Sequence, residues 1–174
     1  LDRVIAQGKE PMLSTIEKVV ILKTVGLFAE TPDEVLAEGN VVGTIVTEEA
    51  KIGRQELQHL PFVTIDGEDA KDFDDAISIR NLDNGNYEIG IHIADVSYFL
   101  KQGTAMDDEA FDRATSIYLV DRVIPMLPEK LSNNVCSLRP HEDKYTFSAV
   151  FQITNRAEIK HRWIGRTIIH SNHR

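Results

Sequence analysis

The spacing of apolar residues changes near residue 60. Before that point it is helical. "STIEKVVILKTVG" predicts a helix in which Ser14 is the cap, Glu17 completes a capping box and Gly26 is the stop. "TPDEVLAEG" predicts a second, short helix, with Thr31 as cap, Pro32 in the first turn, Glu34 reaching back and Gly39 as the stop. "VVGTIVTEEAKIGRQEL" then runs on without clear periodicity at its end. From Leu60 the period shortens to two. "LPFVTID", "DAISI" and "NYEIGIHIADV" predict strands, the last two joined by a hairpin at Asn84-Gly85. Tyr87, Ile89, Ile91 and Ile93 fall on one face of the third strand. "AMDDEAFDRAT" predicts a helix capped by Thr104, and "SIYLVDRVI" a further strand. "PMLPEKLSNNVCSLRP" is punctuated by prolines around a short helix. "KYTFSAVFQIT" and "EIKHRWIGRTIIH" predict two strands paired across Asn155, the first with Tyr145, Phe147, Ala149, Phe151 and Ile153 on one side.

These elements predict a mixed α/β (α+β) fold: a largely antiparallel sheet with helical insertions, preceded by a helical connector. Residues 1–10 read as the tail of a preceding domain, 11–59 as the connector and 60–174 as the first part of a truncated domain. The chain starts at Leu1 and stops at "IIHSNHR", so the expectation is a piece of a longer protein.

Composition changes the picture in two places. Hydrophobic residues at 42% and charged residues at 27% are ordinary for a soluble domain. No apolar run approaches the ~20 residues a membrane helix needs, so no membrane is expected as a partner. Cys136 is the single cysteine, which excludes an internal disulfide and a cysteine-based zinc site; it reads as a buried thiol in a reducing cytoplasm. The net charge of −9 opposes a phosphate-binding surface. A nucleic-acid partner therefore requires that the negative charge be local and offset by metal, or that basic surface be supplied elsewhere in a longer protein.

The charge is indeed local. "TIDGEDAKDFDDA" carries six carboxylates between Asp66 and Asp75, opposed only by Lys71. A regular strand would point Asp72 and Asp74 one way and Asp75 the other, so gathering them with Asp66 needs a turn at "DGEDA" and a bend near "FDDA". Ile65, Phe73, Ala76 and Ile77 are interleaved with the acids and are expected to anchor the segment to a core. An oxygen-only donor set suits a hard divalent cation, Mg²⁺ first and Mn²⁺ second. Such ions polarise phosphoryl groups and lower the pKa of a water, the chemistry of phosphodiester hydrolysis. A solvated acidic loop and a structural calcium loop compete with this reading. The EF-hand spacing is absent, because Gly67 falls at the second position and no Glu closes the loop.

The stretches "LPFVTIDGEDAKDFDDAISI", "IHIADVSYFL" and "ATSIYLVDRVIPMLPEKLSNNVCSLRP" follow in order. Together they resemble the catalytic (RNB) domain of the ribonuclease II and ribonuclease R family, on its ribonuclease R branch. The resemblance implies a processive, Mg²⁺-dependent, hydrolytic 3′-to-5′ exoribonuclease that acts on single-stranded RNA ends and releases nucleoside 5′-monophosphates. It implies that residues 1–10 end a cold-shock-like domain. The family's four active-site aspartates fall on Asp66, Asp72, Asp74 and Asp75. Asp66 and Asp75 match positions that ligate metal. Asp74 matches the position most critical for cleavage, through a second metal or the attacking water, and Asp72 one that helps organise the site. Tyr118 matches a tyrosine that packs on RNA near its 3′ end and helps set the final product length.

Glu68 and Asp69 are read as flanking acids, and His92 and Asp95 as hydrogen-bonded structural groups. Arg113, Arg122 and Arg139 are assigned ordinary surface pairing. Two other functions stay open on the sequence: a non-catalytic RNA-binding member of the family, and an unrelated acidic metal-binding module. No dedicated protein partner is legible, and the isolated piece is expected to be inactive.

Overall fold

The computed structural model describes residues 30–119 and 122–173. The helix expected over residues 14–26 and the tail at 1–10 lie outside the described residues.

Among the described residues, eight strands form in chain order: β1 (Gln55–Glu56), β2 (Phe62–Val63), β3 (Asp75–Asn81), β4 (Tyr87–Ala94), β5 (Ile117–Tyr118), β6 (Val123–Ile124), β7 (Asp143–Ile153) and β8 (Ile159–His170). Six of them make one sheet in the order β1-β8-β7-β4-β3-β2, and β5 pairs with β6 apart from it. Among the described strand pairs of the large sheet, β1 against β8 is parallel and the others are antiparallel; Val63 of β2 makes a further isolated parallel bridge to His173. The fold is thus mixed α/β with a mostly antiparallel sheet. The β3–β4 turn closes through Leu82, whose carbonyl accepts from the Gly85 amide at 2.9 Å and whose amide donates to the Asn86 carbonyl at 2.8 Å. Gly85 sits there at φ 77°, a conformation that costs glycine little.

Arg54 and β1 extend the sheet unit back into what the sequence assigns to the connector. The Arg54 guanidinium donates to Asp95 at 2.6 Å, with both side chains almost fully buried. It lies over the rings of Tyr98 and Tyr145, 5.0 and 4.7 Å from their centroids. Asp95 also accepts from Ser97 at 2.9 Å, so the buried charge is paired and hydrogen-bonded on both oxygens.

The sheet's two faces differ. On one, Ala76, Ala94 and Ile169 pack with Phe62, Phe73, Leu131, Cys136 and Leu138 into the core. The same face carries a buried polar ladder. His92 bonds Ser78 through Nε2 at 2.9 Å and Ser148 through Nδ1 at 2.7 Å, and Thr167 continues it to Thr146. Gly90 leaves the room this requires, since a Cβ there would stand 2.3 Å from His92 Nε2. The opposite face is apolar but largely open: Ile77, Ile79, Ile91, Ile93, Phe147 and Ile164 are all exposed. The alternation picks out this face correctly; it does not say whether anything covers it.

Among the described residues, α-helices α1 (Asp33–Val41), α2 (Glu48–Lys51), α3 (Val96–Phe99) and α4 (Ala105–Arg113) flank the sheet. Helix α1 differs from expectation at both ends. Pro32 is its N-cap and no side chain caps it, so Thr31 has no such role. Gly39 lies inside the helix, buried, because a Cβ would come within 3.3 Å of Pro128; it permits close packing and does not end the helix. Thr104 caps α4 as expected, accepting from the Asp107 amide at 3.2 Å. Glu38 of α1 takes two more of its free amides, Ala105 at 3.0 Å and Met106 at 2.9 Å. "SIYLVDRVI" is not one strand: the Leu119 amide donates to the Arg122 carbonyl at 2.8 Å and folds it into the β5–β6 hairpin. The expected short helix is a π-helical turn, Leu131–Val135. Among the described residues, no helix is long and apolar enough to cross a membrane.

Burial pulls the pKa of His92 down to about 4. The unfolded chain then takes up a proton near pH 6.5 that the folded one refuses, so folding loses stability as pH falls from 6.5 toward 4. In NMR spectra His92 should remain a neutral, fixed tautomer at pH 5.5. A ring that protonates above pH 6 would show that the ladder does not exclude charge.

Candidate active site

The acid segment leaves the strand pattern after β2 and rejoins it at β3. Between them, the Ala70 amide donates to the Gly67 carbonyl at 3.1 Å and makes the turn expected at "DGEDA". Phe73 then points into the core, 5% exposed, and Ala76 follows at 1%. Of the four expected anchors only these two are buried. Ile65 is 80% exposed and Ile77 lies on the open sheet face.

The bend is strapped from outside. Ser137, fully buried, donates to the Lys71 carbonyl at 2.7 Å and accepts from the Phe73 amide at 3.1 Å. The next amide, Leu138, donates to the Phe73 carbonyl at 2.8 Å. Sequence reasoning missed Ser137, and no signal marks it: a lone serine in a proline-punctuated loop fits many roles.

This strap holds acids near one another. The carboxyl of Asp74 is pushed above the usual range, first by partial burial and then by the negative charges of Asp72, Asp75 and Asp66. Those are the four aspartates singled out from the sequence, and the other three all act on the charge of Asp74. They do not form a closed cage. Among the described residues no three His, Cys, Asp or Glu side chains are grouped so as to hold a metal ion. The donor set still fits Mg²⁺, which takes one or two carboxylates and completes its shell with water and phosphate oxygens. Glu68 and Asp69 are exposed beside the turn.

Tyr118 is 65% exposed on the β5–β6 hairpin, which rules out a place in the sheet core. Its hydroxyl donates to Asp72 Oδ2 at 2.7 Å. Its pKa is pushed up to about 12, mainly by that bond and further by burial and the charges of Asp72 and Asp74. His92 and Asp95 are built into the scaffold. Arg113 is likewise engaged, by Glu109 at 2.7 Å and by the carbonyls of Pro125 and Glu30, both at 2.9 Å. Arg139 pairs with Glu142 at 2.5 Å. The Cys136 thiol, pushed up to about 12 chiefly by burial, is not a nucleophile at neutral pH.

The family model of the RNB domain matches residues 54–174. The chain belongs to the RNB family. The match begins at Arg54, the residue that pairs with Asp95. Ribonuclease R of Thermotoga maritima is 48% identical over 145 residues, covering 83% of this chain and 20% of the relative. Ribonuclease R 1 of Lactococcus lactis is 40% identical over 174 residues, covering 100% of this chain and 21% of the relative. The chain thus spans about a fifth of the length of these RNB relatives. Mycoplasma genitalium RNase R, solved in complex with ribose-methylated single-stranded RNA, superposes with a TM-score of 0.84 at 32% identity, covering 91% of this chain and 25% of that one.

Ser137→Ala should leave the Lys71 carbonyl and the Phe73 amide without their partner, at a cost on the order of 1–3 kcal/mol. Amide hydrogen exchange at Phe73 should speed up while the β7–β8 ladder stays protected. Unchanged exchange at Phe73 would mean that the apolar anchor alone holds the loop.

Proposed function

We propose that this chain is the acid-bearing first part of the catalytic domain of an exoribonuclease that hydrolyses RNA from its 3′ end with a divalent cation, releasing nucleoside 5′-monophosphates processively. The observation that carries this reading is the strapped loop, which brings Asp66, Asp72 and Asp75 into electrostatic range of Asp74 in an RNB-family domain. The relatives named ribonuclease R, and the RNA bound to the Mycoplasma protein, support RNA as the substrate.

Asp66, Asp74 and Asp75 are the candidates to hold Mg²⁺ or Mn²⁺, one or two of them to an ion, with water and phosphate oxygens completing the shell. When bound, the cation offsets phosphate charge and lowers the pKa of a water. The chain's own part is positional. Ser137 and Leu138 fix the backbone from which Asp74 and Asp75 project. Asp74, partly withdrawn from solvent, can orient the attacking water and accept its proton. Tyr118 offers an aromatic face for a base, a platform that tolerates any sequence. A net charge of −9 leaves most of the RNA grip to basic surface in the rest of a longer protein. All four aspartates are present, which favours this reading over a non-catalytic family member.

Asp74→Asn in the full-length protein should separate chemistry from binding. Single-turnover cleavage should fall by about 10²-fold or more, the scale of losing a preorganised electrostatic group, while RNA affinity holds. Near wild-type cleavage in the folded variant would remove Asp74 from the chemistry. Joint loss of binding and cleavage would place it in RNA binding instead.

A further inference from the structure

The nuclease reading leaves unexplained why Asp72, one of the gathered carboxylates, spends an oxygen on a hairpin side chain. Its Oδ2 accepts the Tyr118 hydroxyl at 2.7 Å, across 46 residues of sequence. The two partners belong to separate pieces of structure. Asp72 sits on the strapped loop next to Phe73, whereas Tyr118 sits on a two-stranded hairpin outside the main sheet. Tyr118 is exposed, so its ring is not located by core packing. The hydrogen bond links the ring to the acid loop. A hydrogen bond to an ionised acceptor is short, directional and stronger than a neutral one.

We infer that Asp72 is a positioning residue: its carboxylate holds the Tyr118 ring at a fixed height beside the acid loop and so sets how far the terminal base stands from the scissile phosphate. This rests on the reading that an RNA 3′ end reaches the loop. It assigns Asp72 to the register of the substrate, and so to the length of the oligonucleotide left undegraded, and leaves metal binding to its neighbours. The raised pKa of Tyr118 is consistent with this, because the phenol keeps the proton it donates at any working pH.

The distinction matters at the end of a digestion. A long RNA is held at many points, and a loose platform costs it little. When only a few nucleotides remain, stacking of one base on one ring is worth about 1–3 kcal/mol and becomes a large share of what holds the RNA. A ring freed from its anchor should therefore release short products at a different length while long substrates are shortened much as before.

The test uses four variants of the full-length protein: Tyr118→Phe, which keeps the ring and removes the hydroxyl; Asp72→Ala; the double variant; and Asp72→Asn, whose amide oxygen can still accept. Two readouts are needed. One is the length of the terminal oligonucleotide from a 5′-labelled RNA in Mg²⁺. The other, in EDTA so that no cleavage is required, is the quenching of a 3′-terminal 2-aminopurine on a short oligonucleotide, which reports stacking on the ring. Tyr118→Phe and Asp72→Ala should shift the terminal length alike and weaken the quenching-detected binding by about ten- to a hundredfold, the scale of one lost hydrogen bond to a charged group. The double variant should be no worse than either single one, and Asp72→Asn should restore both readouts toward wild type. Mn²⁺ affinity should fall to the same extent in Asp72→Ala and Asp72→Asn, since both remove one nearby negative charge and neither removes a ligand. Additive effects, an unchanged Tyr118→Phe, or a much larger loss of Mn²⁺ affinity in Asp72→Ala than in Asp72→Asn would each overturn the assignment. Failure of the nuclease reading looks different: the wild-type protein would leave RNA intact in Mg²⁺, and the quenching would still report whether Asp72 and Tyr118 act as one unit.

Discussion

Like-charge repulsion around Asp74 is the constraint on which the site turns. Carboxylates gathered on one short loop disfavour their own ionisation, and Asp74 records this as a pKa pushed up by burial and by Asp72, Asp75 and Asp66. The fold counters the repulsion with neutral contacts. Phe73 is driven into the core, Ser137 bonds the backbone on both sides of Asp72, and the Leu138 amide takes the Phe73 carbonyl. None of these groups is charged, so the strap adds no positive charge of its own to the loop. A loop of carboxylates attracts a cation, and it is the cation that can offset the charge of a phosphate.

The scaffold under the loop contains two buried polar centres. The ladder from Ser78 through His92 and Ser148 to Thr167 and Thr146 lies within the sheet's covered face. Arg54 and Asp95 form a second buried polar centre, clasped by Tyr98 and Tyr145. Replacing such groups by apolar ones is often neutral for stability, whereas removing one partner is costly. Their value here is geometric. His92 ties β3 to β7 across β4, and Arg54 ties the segment before β1 to the turn after β4. Both fix the sheet whose β3 begins at Asp75.

The sequence made the chemistry easier to read than the scaffolding. Carboxylates interleaved with Phe73 and Ala76 pointed to a held loop, and the strand periods, the Asn84-Gly85 turn and the Thr104 cap were legible because each rests on local geometry. What was not legible depends on contacts distant in sequence. Gly39 reads as a helix stop in the sequence, whereas its place depends on a close approach to Pro128. Ile65 and Ile77 looked like anchors because hydrophobicity alone does not say which face is covered. Ser137, Glu38 and Arg54 act across 41 to 68 residues in the polar bonds described above, which leave no periodic trace; Arg54 reaches Asp95 across 41 residues and Glu38 reaches Met106 across 68. The exposed isoleucines of β3 and β4 belong to the same class, since the pattern selects their face and nothing more.

The central claim is that the strapped acid loop exists to bring a divalent cation to the end of an RNA. It is tested most directly by following 5′-labelled RNA, at single-nucleotide resolution, with the full-length protein in Mg²⁺ and in EDTA. The account predicts products that shorten from the 3′ end in Mg²⁺ and full-length RNA in EDTA. Internal cuts, or the same shortening in EDTA, would contradict it.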